Sequence, residues 1–199
     1  MAEYAFLINF GVLAVVALII GIMMRISHKK EVAKRTRLAE IAKKRAGLLK
    51  SINKIHWEDQ FAIDGGVIDK GNKTLFDLVN EFNESIPILQ LPGEMLSILA
   101  SLKKYTQTHF PREEKLQLTS DFPFFEDHKK EHEALIEKLN GLIKKVMQTK
   151  EDNVIDVAAE ITSFLEKWIT GHVLESDLSL KPYVDRLREN VKSKSEPQP

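Results

Sequence analysis

The chain has 199 residues, 43% of them hydrophobic and 29% charged, no cysteine, and a formal net charge of zero. The hydrophobic content supports a packed core and argues against general disorder. Without cysteine there are no disulfides, iron–sulfur ligation or thiolate metal sites, so any transition metal must be held by histidine and carboxylate. The neutral balance gives no reason to propose nucleic-acid binding.

Charge is unevenly distributed along the chain. Residues 25–50 hold ten Lys/Arg against the two acids Glu31 and Glu40, and the remainder is acidic in balance. Residues 4–24, YAFLINFGVLAVVALIIGIMM, carry no charge. A run of about 20 apolar residues is long enough to cross a bilayer, so residues 1–25 are expected to be a transmembrane anchor. The basic residues that follow, from Arg25 onward, form a helical juxtamembrane stalk over 26–50. The positive-inside rule then expects a single-pass protein of the bacterial inner membrane with its C-terminal domain in the cytoplasm. The expected partners are the lipid bilayer and another membrane protein such as an oxidase.

Residues 51–191 read as one all-α domain. Apolar residues recur at helical spacing in four segments. The first covers 66–85 (Ile68, Leu75, Phe76, Val79, Phe82) and the second 93–115 (Met95, Leu99, Leu102, Tyr105). The third covers 124–149 (Phe125, Leu135, Leu139, Leu142, Val146) and the fourth 152–178 (Val154, Val157, Ile161, Phe164, Leu165, Trp168). Pro87, Pro92 and Pro123 mark the connections. Short connections make neighbouring helices antiparallel, which predicts an up-down-up-down four-helix bundle after the transmembrane helix and stalk. Residues 192–199, KSKSEPQP, are expected to be a disordered tail.

The chemistry lies on three of these helices. His109 and Glu113 are four apart, His128 and His132 are four apart, and His172 and Asp177 are five apart. Side chains four apart share a helical face. His109, His128, His132 and His172 each continue the apolar series of their helix, so they point into the core. One inward histidine is most often a satisfied structural residue. Four histidines and two carboxylates would cost several kcal/mol each if buried unpaired, and a metal centre supplies the missing partners. No histidine has glutamate three residues before it, so the Glu-x-x-His pattern of ferritin-like bundles is excluded; the zincin motif is also absent.

The order His-x-x-x-Glu, His-x-x-x-His, His-x-x-x-x-Asp resembles the hemerythrin family. Trp57 and Phe61, IDKGNKTLFDLVN (68–80), YTQTHFPREE (105–114), FPFFEDHKKEH (122–132) and WITGHVLESD (168–177) agree with it, and the likeness covers residues 57–183. The resemblance implies two iron ions, oxo- or hydroxo-bridged. One takes His128, His132 and His172, the second takes His109, and Glu113 and Asp177 bridge them. It also implies dioxygen as the ligand, in an apolar pocket of Leu75, Phe110, Trp168, Ile169 and Val173. The sequence departs from the family at Asn72, where the first helix should supply a further histidine to the second iron, and Gly71 beside it is a second departure. His56 is the conceivable substitute, although it precedes the first helix. The expected function is a membrane-anchored non-haem di-iron protein that binds dioxygen or a related small ligand for storage, delivery or sensing. The alternatives are a di-iron enzyme reacting with peroxide or nitric oxide, and a degenerate metal-site domain with a structural or regulatory role.

Overall fold

The computed structural model describes the backbone of residues 2–195 and the side chains of residues 15–194. Among them are six α-helical segments: α1 (Ala2–Ser51), α2 (Val67–Ser85), α3 (Pro92–Thr119), α4 (Phe125–Gln148), α5 (Val154–Lys167) and α6 (Lys181–Ser195). The chain divides into two units, residues 1–44 and residues 45–199. In the first unit the described part of α1 is helical throughout, and its apolar residues from Val15 to Ile26 are largely exposed.

Two expectations are corrected here. No helix among the described residues is long and apolar enough to cross a membrane. The first part of the expected span, residues 4–14, lies outside the residues whose side chains are described. The predicted architecture of a transmembrane helix plus bundle is therefore replaced by an all-α protein without a spanning helix among the described residues. The localisation as a single-pass inner-membrane protein is overturned with it, since among the described residues there is no spanning helix for the basic residues after Met24 to orient. At the other end, residues 192–195 continue α6, and residues 196–199 lie outside the described residues.

In the second unit α2, α3, α4 and α5 form a closed ring of contacts: α2 packs on α3 and α5, and α4 packs on α3 and α5. The helical spacing read from the sequence puts Leu75, Phe76, Val79, Leu99, Leu102, Leu139, Leu142, Ile161 and Leu165 in one continuous core. A smaller cluster of Ile63, Ile68, Phe122, Leu180 and Val184 lies beside it. Arg45 anchors the end of α1 within this unit, donating from Nη1 to the Pro87 carbonyl at 2.9 Å and from Nη2 to the Leu89 carbonyl.

The fourth expected helix is not a single α-helix. After Lys167 the chain becomes a π-helix over Trp168–Asp177 and then a 3-10 turn over Leu178–Leu180. The wider winding explains a sequence spacing that an α-helix does not. With hydrogen bonds running from i to i+5, residues five apart such as His172 and Asp177 return to the same face.

The segment before α2 is tied to the bundle by side-chain caps. Asp69, buried in α2, accepts the backbone N–H of Ile63 at 2.7 Å and of Gly65 at 2.6 Å. Asp64 accepts the N–H of Gly66 at 2.8 Å and of Ile68 at 3.2 Å, satisfying donors at the helix start. Trp57 stands edge-on to Phe76 at 5.6 Å between centroids, and Asn80 brackets Ile55 by bonding both its N–H and its carbonyl. This strap fixes the entry angle of α2 and hence the position of Gly71 and Asn72.

Candidate metal centre

Three helical elements bring five side chains to one point. Glu113 from α3, His128 and His132 from α4, and His172 and Asp177 from the π-helical stretch each offer one ligand atom, and these atoms lie within 4.8 Å of one another. All five residues are buried. The three imidazoles face each other around a triangle with centroid separations of 4.6, 4.8 and 4.9 Å. His128 Nε2 lies 3.4 Å from Glu113 Oε1 and 3.3 Å from Asp177 Oδ1. His172 Nε2 is 3.2 Å from Asp177 Oδ1, and His132 Nε2 is 3.5 Å from Glu113 Oε2.

The donor set fits a cation. Both oxygens of Glu113, Oδ1 of Asp177, and Nε2 of His172 and His109 are buried and lack hydrogen-bond partners. His128 Nε2 and His132 Nε2 approach to 3.1 Å, so two ring nitrogens are aimed into the same space. Buried polar atoms are normally satisfied, and a metal ion at the focus of the five-residue cluster supplies a partner to those of Glu113, Asp177 and His172. Imidazole nitrogen with carboxylate oxygen suits iron, zinc or manganese.

The electrostatics of the metal-free cluster point the same way. Burial alone would raise the Glu113 carboxyl, but His109, His128 and His132 outweigh it and hold the group well below the usual carboxylate range. Burial would lower His128, but Asp177 and Glu113 push it up to about 10. Both shifts have the same cause, buried carboxylates facing imidazoles, and both favour positive charge at this point in the core.

Two further carboxylates take part that the sequence reading did not single out. His132 Nδ1 donates to Glu114 Oε1 at 2.9 Å, and His172 Nδ1 donates to Glu131 Oε2 at 3.0 Å. Each bond fixes its ring with the proton on Nδ1, leaving Nε2 free to ligate. Burial raises Glu131, but its bonds to Ser176 and His172 prevail and lower it. The signal available in the sequence was adjacency: each of these glutamates is next to an inward residue of its helix, Glu114 after Glu113 and Glu131 before His132.

The His109 side is built differently. His109 Nε2 lies 3.5 Å from Glu113 Oε2, yet His109 is outside the five-residue cluster. Its ring stacks on Tyr105 at 4.8 Å, and Tyr105 donates its hydroxyl proton to Asn72 Oδ1 at 3.3 Å. Asn72 is fully buried and its Nδ2 has no partner. The carboxamide oxygen, the one atom of Asn72 able to ligate a cation, thus has one of its two lone pairs taken by Tyr105. Burial, followed by the nearby Asp177 and Glu113 charges, holds the Tyr105 hydroxyl well above its ordinary range, so Tyr105 remains a donor. Gly71 is what makes room for His109: a Cβ at that position would lie 1.9 Å from His109 Nδ1. His56 is exposed and takes no part in the cluster.

The expected pocket residues Leu75, Phe110, Trp168, Ile169 and Val173 are all buried in the main core. Phe110 lies flat on His132, with centroids 3.7 Å apart and 6° between planes. It also meets Trp168 at 6.0 Å and His172 at 6.0 Å. The His132 imidazole is thereby covered by apolar surface.

Comparison with known proteins agrees with this geometry. Residues 66–184 match the model of the hemerythrin HHE cation binding domain. The chain is 27% identical to a bacteriohemerythrin of Clostridium acetobutylicum over 132 residues, 65% of this chain and 98% of that protein. It is 28% identical to a bacteriohemerythrin of Pseudomonas aeruginosa over 144 residues, 70% of this chain and 88% of that protein. It is 32% identical to the hemerythrin of Phascolopsis gouldii over 125 residues, 63% of this chain and 89% of that protein. With the matched model covering more than half of the sequence and the ligand cluster lying inside it, the chain belongs to the hemerythrin family of cation-binding domains.

Proposed function

We propose that the protein holds non-haem iron in this cluster and binds dioxygen or a similarly small ligand there. The observation that carries this reading is the convergence of five buried ligand atoms within 4.8 Å, several of them without any other partner. His128, His132 and His172 would hold the first iron, and Glu113 and Asp177 would be shared with a second, for which His109 is the nearby imidazole. Iron held in this way supplies a redox-active centre able to bind dioxygen reversibly.

The protein's own groups determine how that centre behaves. Glu114 and Glu131 set the tautomers of His132 and His172, so that both present Nε2 without reorganisation. Phe110, stacked on His132 and packed against Trp168, covers that imidazole with apolar surface, which slows loss of a bound small ligand to side reactions. Tyr105, protonated and donating to Asn72, occupies one lone pair of the amide oxygen and so competes with ligation. A degenerate centre with one firmly bound metal is the second reading, and it is favoured by one specific observation, the engagement of Asn72 Oδ1 by Tyr105.

The test is a visible spectrum of the iron-loaded full chain, recorded anaerobically, after dioxygen is admitted, and after dioxygen is removed. An absorption change that reverses supports the dioxygen-binding reading. Irreversible bleaching to a ferric spectrum, or no response at all, contradicts it.

A further inference from the structure

A groove of about 390 Å³ runs between α2 and α3, and Gly71 and His109 are among the residues that line it. Lys70, Lys104 and Arg112 are among its walls, and no acidic residue lines it. None of the three cations has an ion-pair partner among the described residues. The groove is therefore a concave, positively charged site over the outer face of a metal-centre histidine.

What it lacks is informative. His132 and His172 each have a carboxylate on Nδ1, from Glu114 and Glu131. His109 has none. Its Nε2 faces Glu113 and its Nδ1 lies against Gly71, on the groove side. A histidine that ligates through Nε2 carries its proton on Nδ1 and needs an acceptor there to hold its orientation. For His109 the fold offers cations around the place where that acceptor belongs, and no acceptor.

We propose that the groove binds a small oxyanion, a carboxylate or an inorganic phosphate, whose oxygen accepts the Nδ1–H of His109. Lys70, Lys104 and Arg112 hold its charge. The anion gives His109 the partner that Glu114 gives His132, and so couples anion binding to metal binding on the His109 side. The inference rests on the metal-centre reading above. Coupling of this kind is reciprocal: an anion that tightens the metal is itself tightened by it. The absence of Cβ at residue 71 serves both ends, admitting the ring and leaving its Nδ1 uncovered by a side chain at that position, where both residues line the groove.

The experiment uses the full chain with Co(II) as the probe metal, at buffered free concentration and constant ionic strength. The first and second equivalents are followed by their visible absorption. Acetate and inorganic phosphate are added separately, so that the two sources of the anionic oxygen are distinguished. Either anion, or both, should tighten the second equivalent saturably by about tenfold or more, the usual worth of an outer-shell partner, and leave the first nearly unchanged. In the double variant Lys104→Ser/Arg112→Ser the first equivalent should bind as in wild type and the anion effect should vanish. A second equivalent indifferent to both anions overturns the proposal, as does an equal anion effect in the variant. Failure to bind even a first equivalent overturns the metal-centre reading itself, and the anion site with it.

Discussion

Gly71 and His109 share one space: a Cβ on residue 71 would sit 1.9 Å from His109 Nδ1 and 2.5 Å from its Cε1. Glycine inside a helix ordinarily costs up to about 1 kcal/mol against alanine. Here that cost admits an imidazole to the core face of α3. Gly71→Ala should therefore destabilise the protein by about 1–3 kcal/mol, the range for overpacking, and weaken the metal on the His109 side. Gly141→Ala is the control: nothing lies within 4 Å of its Cβ position in α4, so it should be neutral or stabilising by up to about 1 kcal/mol. Thermal melts of the two metal-free variants check the pair. Equal behaviour would show that His109 does not need the space.

Asn72 is the second test of this side. Its oxygen is held by Tyr105 and its Nδ2 is buried without a partner. Asn72→His replaces this arrangement with an imidazole, a stronger donor for iron. The variant should retain a second iron through dialysis that wild type loses, measured as iron per chain before and after. Equal retention in both forms would mean that Asn72 is no deficit.

The carboxylates behind the first site are a third. Glu114→Gln should lower metal affinity at the three-histidine site by about 10–100-fold, because an amide that replaces the carboxylate no longer polarises the His132 ring. Glu131→Gln should do less, since Glu131 is 48% exposed and its bond to His172 is partly screened by water. Both metal-free variants should melt close to wild type. A change in melting without a change in affinity would make these glutamates purely structural.

Most of the helix pattern was legible because each inward face repeats at helical spacing, and His109, His128 and His132 could be placed on those faces by counting. The π-helical stretch was not, because apolar periodicity does not distinguish one wide turn from an α-helix; only the five-residue step from His172 to Asp177 hinted at it. The role of Gly71, which stood out only as a departure from the family, was hidden because the clash it avoids is with a residue 38 positions away in sequence. Glu114 and Glu131 were hidden for the same reason: a partly exposed glutamate looks like solvated surface until its histidine is known. The apolar run at residues 4–24 suggested a span by length alone, and no helix among the described residues meets that requirement.

Proton linkage gives a fourth prediction. In the metal-free protein His128 is pushed up to about 10 by Asp177 and Glu113, against burial. A raised imidazole pKa contributes stability that is complete below its unfolded value of 6.5 and lost as pH rises through about 10. Glu113 works in the opposite sense, its contribution being lost as pH falls through its lowered folded pKa. The metal needs His128 neutral, so it must displace that proton. Between pH about 6.5 and 8.5 affinity at the first site should rise by about tenfold per pH unit for one proton released. Unbuffered titration with metal reads the proton directly. Uptake without acidification would show that His128 is neutral before the metal arrives.

The central claim is that Glu113, His128, His132, His172 and Asp177 are one metal centre. Its most direct test is iron per chain after exhaustive dialysis of the iron-loaded full-length protein, compared with His132→Ala treated identically. The account predicts at least one iron retained per wild-type chain, a melting temperature that falls on chelation, and neither property in the variant. A wild-type chain that retains no iron, or a His132→Ala chain that retains as much, would contradict it.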